Sequence, residues 1–157
     1  MLTSSKLNIP QFPGGNYAIV ASEYNKRYVD GMLKQAKSGL KASGSSSYPV
    51  YRVPGAFEIP VVVAEIMASR ASDLSAVLAF GVVIQGETEH ARHIGDTVSR
   101  LLGGLAVQYR LPLIFEVLLL NDQEQARARC LETESNKGWE AALTAVKMAR
   151  LMRSLKA

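Results

Sequence analysis

His90 is the residue most suited to proton chemistry in this chain, because an imidazole gives and takes protons near neutrality. It follows a strongly apolar stretch and falls about two residues into a segment of helical periodicity. The other histidine, His93, lies one turn further on and could be a second participant, although it reads rather as part of a solvated helix face. Just upstream, Gly86-Glu87-Thr88 places a glycine before an expected helix start. Free backbone N–H groups and the positive end of the helix dipole make such a turn an anion site. The Thr88 hydroxyl would add a donor. Glu87 would help only through its backbone, since its carboxylate repels an anion. The plainer alternative is an ordinary N-cap with Thr88 capping.

A bound phosphate also needs a cation. Arg129 and Arg127 share a short expected helix, and Lys137 opens the next one. The guanidinium fork suits phosphate best, although each cation taken singly reads as solvated surface. Pro54-Gly55-Ala56-Phe57-Glu58 joins a turn-permitting glycine to a carboxylate able to accept bonds from a polyol. Tyr24 and Phe115 adjoin or interrupt apolar strands and are placed to sandwich a flat heterocycle, with core packing the alternative for Phe115. Several chemistries find no pattern here. There is no GxGxxG, no Walker-type loop and no nucleophile elbow. The two histidines lack the carboxylate or thiol partners that would complete a metal site, and the single cysteine, Cys130, forms no intrachain disulfide.

The elements that would position these residues follow from periodicity. Tyr17–Ala21 is a short apolar run expected to be a buried strand. From Lys26, Val29, Leu33, Ala36 and Leu40 mark one helix face, and Ser43–Ser47 ends it as a loop. A strand is expected over 48–53, and a helix over 58–69 with Pro60 tolerated in its first turn. The strongest strand spans 75–84. A long helix from about Thr88 to Tyr109 stops before Pro112. Its Gly103-Gly104 pair costs helix stability and calls for close packing, within the subunit or across a boundary. A strand over 113–120, a short helix capped by Asp122, and a last helix over 137–154 complete the chain. This βαβαβαβαα order predicts a parallel sheet with helices on both faces. Ligands in such sheets lie at the strand carboxyl ends. That rule selects the loops after Ala21, Val53, Ile84 and Leu120, and three of the four carry the candidate residues above.

The 157 residues suit a single domain over 15–157 behind an N-terminal arm, 1–14. A net charge of +4 with scattered basic residues argues against nucleic-acid binding. Nothing approaches a membrane span, and Met1–Gln11 has no secretory apolar region, so a cytoplasmic location is expected.

Val53-Pro54-Gly55-Ala56-Phe57-Glu58-Ile59-Pro60, Gly86-Glu87-Thr88-x-His90 and Asn136-Lys137-Gly138 occur here in the order and spacing of lumazine synthases. The chain resembles that family from about Tyr17 to Leu151. The resemblance implies an α/β flavodoxin-like sandwich with a four-stranded parallel sheet. It implies condensation of 5-amino-6-(D-ribitylamino)uracil with 3,4-dihydroxy-2-butanone 4-phosphate to 6,7-dimethyl-8-ribityllumazine, with no cofactor and no metal. Tyr24 would stack on the pyrimidine and Asn25 bond its edge. Ala56, Phe57 and Glu58 would hold the ribityl chain, and Val82, Val83 and Ile84 would offer strand-end backbone groups. Gly86, Glu87 and Thr88 would bind phosphate, and His90 would shuttle protons. Phe115 and Arg129 would come from a neighbouring subunit, with Lys137 near the same pocket. The implied assembly is a homopentamer with sites between subunits. The absence of an insertion between Cys130 and Asn136 extends this to a sixty-subunit shell, with riboflavin synthase as a candidate associate. Three positions depart from the pattern: Tyr24 replaces a usual phenylalanine or tryptophan, Glu116 a common glycine, and Leu119-Leu120 common threonines. A carrier of flavin or lumazine is the rival reading, and it has no use for the Thr88, His90 and Arg129 set.

Overall fold

The computed structural model describes residues 8–157, so the first seven residues of the expected arm lie outside the described residues. The elements run β1 (Tyr17–Ser22), α1 (Lys26–Ala42), β2 (Val50–Val53), a 3-10 turn (Ala56–Glu58), α2 (Ile59–Arg70), β3 (Ala76–Ile84), α3 (His90–Tyr109), β4 (Leu113–Leu120), α4 (Gln123–Cys130) and α5 (Lys137–Lys156). All strand pairings are parallel, in the order β2-β1-β3-β4. This is the expected flavodoxin-like α/β sandwich. α1, α4 and α5 cover one face of the sheet, and α2 and α3 cover the other.

Burial follows the sequence pattern. β1 is buried along its whole length, as a near-continuous apolar run requires between two helix layers. On α1 the stripe Val29, Leu33, Ala36 and Leu40 is buried. β2 is shorter than expected, because Tyr48 and Pro49 stay outside the ladder. Pro49 has no N–H to donate, yet its carbonyl accepts from the Ile19 N–H at 2.9 Å. α2 starts at Ile59 with Pro60 in its first turn.

Two glycines set the packing of the α1, α4 and α5 layer. A Cβ on Gly31 would lie 2.3 Å from the Cys130 carbonyl oxygen, and one on Gly138 would lie 1.8 Å from that of Met32. The backbones therefore touch where only glycine fits. Asn136 locks the same junction: its Nδ2 donates to the Cys130 carbonyl at 2.7 Å and its Oδ1 accepts from the Gly138 N–H at 2.8 Å. Asn136-Lys137-Gly138 is thus a cap and a close approach that hold Lys137 at the start of α5.

Gly103 and Gly104 behave differently. Among the described residues a Cβ at either would meet nothing within 4 Å, so no packing there compensates for them.

Candidate active site

The chain crosses from β1 to β2 on one side and returns to β3 on the other, which creates a switch point between β1 and β3. Pairing of β1 with β3 ends at Ala21–Phe80, whereas β3 stays paired with β4 as far as Ile84–Leu120. The last four residues of β3 therefore have an open edge. A cavity of about 760 Å³ lies against it, within the usual size of a ligand site.

Three loops and a helix form its walls. The β1–α1 loop is tied to the end of β2 by the Glu23 N–H to the Val53 carbonyl (2.8 Å) and the Tyr24 N–H to the Pro54 carbonyl (3.0 Å). These bonds set Tyr24, 74% exposed, beside Phe57, 59% exposed, with both rings on the cavity. Large aromatics left open to solvent at a concave surface are poised to stack on a flat ligand. Glu58 folds back to accept the Gly55 N–H at 3.0 Å. A Cβ on Gly55 would lie 3.0 Å from that carboxylate oxygen, so the glycine makes room for it.

Asn25 stands in the left-handed region (φ 55°), which asparagine tolerates better than most residues. Its Nδ2 donates to the Val82 carbonyl at 2.8 Å, bridging the open edge of β3. The Gln85 N–H donates to the Leu120 carbonyl at 2.8 Å, on the β4 side. By strand alternation the backbone groups of Val82 and Ile84 face the cavity edge, and those of Val83 face β4. Val83 lines the cavity as well.

α3 begins at His90, so His90 is the first helical residue rather than about two residues in. Thr88 is not the cap residue. Glu89 holds that place without a side-chain cap bond, and the His90 N–H donates to the Thr88 Oγ1 at 3.4 Å. Both His90 and Ala91 line the cavity, so the positive end of the helix faces it. Gly86 and Thr88 line it too, but Glu87 does not. His93, Ile94 and Thr97 continue the lining one and two turns on. His93, one turn beyond His90, is exposed and also lines the cavity, where either of its sequence readings, solvated face or second participant, can hold.

One cavity therefore brings together Tyr24, Ala56, Phe57, Glu58, Val82, Val83, Ile84, Gly86, Thr88 and His90. It does not include Phe115, Arg129 or Lys137 of the same chain. Phe115 is exposed on the β4 edge. Arg127 pairs with Glu132 at 2.5 Å and Lys137 with Glu140 at 2.7 Å. Arg129 is exposed and makes no ion pair within 4 Å among the described residues. Beneath α4 and α5, burial pushes the Glu116 carboxyl up to about 7. Burial first, and Glu116 second, push the Cys130 thiol up to about 12. Among the described residues no three His, Cys, Asp or Glu side chains gather as a metal site. No helix among them is long and apolar enough to cross a membrane.

Such a sheet, with an aromatic and helix-dipole pocket at its switch point, belongs to a flavodoxin-like enzyme acting on small molecules. The family described as 6,7-dimethyl-8-ribityllumazine synthase matches residues 14–153. Proteins of that name from Aquifex aeolicus and Pyrococcus furiosus are each 39% identical to this chain. The first alignment covers 91% of this chain and 93% of the relative, and the second 90% and 88%. One from Stenotrophomonas maltophilia is 36% identical over 88% of this chain and 90% of its own length. The chain belongs to the 6,7-dimethyl-8-ribityllumazine synthase family, and it is a transferase of riboflavin biosynthesis.

Proposed function

We propose that this enzyme condenses 5-amino-6-(D-ribitylamino)uracil with 3,4-dihydroxy-2-butanone 4-phosphate to 6,7-dimethyl-8-ribityllumazine, releasing phosphate and water without a cofactor. The pyrimidine amine attacks the butanone carbonyl, and loss of water gives an imine. Phosphate leaves by elimination, and a second dehydration closes the ring. Tyr24 stacks on the pyrimidine, and Asn25 with the Val82 and Ile84 backbone reads its edge. Ala56, Phe57 and Glu58 hold the ribityl chain. Gly86, Thr88 and the Glu87 backbone receive phosphate, and His90 moves protons beside the reacting carbons. Most of the acceleration comes from holding both substrates together, with general acid–base help adding about 10²-fold.

Arg129 of a neighbouring subunit completes the phosphate clamp, Phe115 of that subunit closes the site over the pyrimidine, and Lys137 lies near the same pocket. The reading supposes a cytoplasmic homopentamer, twelve of which make a sixty-subunit shell, with riboflavin synthase as a candidate associate. Residues 15–157 act as one domain behind the arm 1–14. The observation that carries it is the joint placement of Tyr24, Phe57, Thr88 and His90 on one cavity at an open strand edge. The test is to incubate purified protein with both substrates and follow lumazine fluorescence. Product is expected to need both substrates, and its absence from assembled protein overturns the proposal.

A further inference from the structure

We propose that Arg52 is a positioning residue for the pyrimidine substrate: its guanidinium joins the two roots of the β1–α1 turn and so fixes where Tyr24 and Asn25 stand, an inference that rests on the role given above to those two residues. Side chains alternate along β2, where Val50 packs into the α1, α4 and α5 layer and Val53 into the α2 and α3 layer. Arg52 is two residues from Val50 and therefore leans toward α1. There its Nη2 pairs with the Asp30 carboxylate, in the second turn of α1, and its Nη1 donates to the Ser22 carbonyl at 3.3 Å. Ser22 is the last residue of β1 and stands one residue past the final β1–β3 pair. One side chain thus ties the strand that enters the turn to the helix that leaves it.

The turn depends on such ties. A ring as open to solvent as that of Tyr24 is aimed by its backbone rather than by packing. Asn25 stands in the left-handed region, a conformation that persists only where the surroundings over-determine it. The Glu23 and Tyr24 bonds to the end of β2 and the Asn25 bond to Val82 hold the turn from the sheet side. Arg52 adds the hold from α1. Without it α1 is free to shift against the end of β1, and Asn25, the hinge between them, carries that shift to Tyr24. The phosphate groups at the α3 start lie on other elements and do not feel it.

The test compares wild type with Arg52→Met, Asp30→Asn, the double variant and Arg52→Lys. The KM is measured for each substrate, binding of 5-amino-6-(D-ribitylamino)uracil alone is measured by calorimetry, and amide exchange is followed over residues 22–26. Arg52→Met is expected to raise the KM and the dissociation constant of the pyrimidine about five-fold, the size of an ion pair whose side chains are 28% and 41% exposed. The KM for 3,4-dihydroxy-2-butanone 4-phosphate stays unchanged, and exchange over 22–26 speeds up while β3 stays protected. Asp30→Asn gives a smaller rise, and the double variant no more than Arg52→Met, because both changes break one link. Arg52→Lys can meet Asp30 but lacks the fork to reach Ser22 as well, so it falls between wild type and Arg52→Met. Where Arg52→Met does not fold, Asp30→Asn and Arg52→Lys give the same comparison. A merely structural role would weaken both substrates alike. Equal losses for the two substrates, an unchanged pyrimidine affinity or unchanged exchange over 22–26 each overturn the proposal. Lumazine failing to form, while pyrimidine binding keeps its dependence on Arg52, removes the reaction proposed above and leaves this role standing.

Discussion

Alanine at Gly138 and alanine at Gly103 are the same chemical change with opposite expected signs. At Gly138 the new Cβ would lie 1.8 Å from the Met32 carbonyl oxygen, 2.6 Å from its carbonyl carbon and 2.8 Å from its Cα. All three are backbone atoms of α1, so no rotamer change relieves them. Separating the helices to ordinary contact needs roughly 1.5 Å and forfeits dispersion along the α1–α5 seam. Overpacking against movable side chains costs about 1–3 kcal/mol, and a rigid backbone puts this site at the top of that range or above. The better helix propensity of alanine returns at most about 1 kcal/mol, leaving a net loss of about 2–4 kcal/mol. At Gly103 and Gly104 nothing lies within 4 Å, so alanine is expected to stabilise the subunit by about 0.5–1 kcal/mol at each. The assay is equilibrium urea unfolding at several fixed protein concentrations, because on the proposed reading the chain assembles, and the stability of an oligomer depends on concentration. Gly138→Ala unfolding at the wild-type midpoint refutes the packing account. Gly103→Ala that is stabilised when dilute but destabilised when concentrated would locate the packing partner of α3 in another subunit.

His90→Ala is expected to slow turnover about 10²-fold while leaving measurable lumazine formation, and complete loss in a folded assembly would give histidine more than proton transfer. Arg129→Ala should raise the KM of the phosphate substrate at least ten-fold and leave that of the pyrimidine nearly unchanged, and equal losses contradict its role. Glu116 has a folded-state value of about 7, above the usual carboxylate value of 4.5, so its burial costs nothing below pH 4.5 and its full penalty above pH 7. Thermal unfolding of Glu116→Gln should therefore match wild type near pH 4 and exceed it at pH 8, by at most on the order of 3 kcal/mol. Cys130 is buried and its thiol is held at about 12, so iodoacetamide at pH 8 should label it only in denaturant.

Periodicity alone recovered the alternation of strands and helices, because the central elements each bury one apolar set. β1 up to Ala21 and the whole of β3 are apolar and lie between two helix layers, and α1 repeats its stripe at helical spacing. Boundaries slipped where a backbone bond outside the pattern decided them. Pro49 removed a donor from β2, and the start of α3 moved to His90 with Thr88 folding back onto it. The sheet-end rule found three of the site loops. It left the choice open for His93, because a histidine on an amphipathic helix carries no mark of which face meets a cavity. Nor could spacing reveal that Gly31 and Gly138 touch opposing backbones, since such contacts depend on how α1, α4 and α5 cross.

A phosphate dianion asks more of the cavity than one subunit supplies. The start of α3 offers roughly half a positive charge, and Thr88 is already an acceptor for the His90 N–H. Within the chain Arg129 cannot swing round to help. α4 is capped by Asp122, which accepts the Gln125 N–H at 2.8 Å, and is pressed onto α1 through Gly31. On the proposed reading, then, the missing cation must come from another copy. Val107, 80% exposed, and Leu101 stand open on α3 near the bare glycine pair, and Phe115 and Leu119 stand open on the adjoining β4 edge. Apolar surface of this kind rarely stays in water, and a contact that pairs one patch with a different patch of the next copy repeats until it closes into a ring. Covering the β4 edge in this way would carry Phe115 and Arg129 of one subunit toward the α3 start of the next. Assembly and catalysis would then depend on the same buried surface. For that reason a mixture of His90→Ala and Arg129→Ala subunits should recover activity only when both kinds sit in one ring. Verified mixed rings that stay as inactive as either parent would refute the shared site.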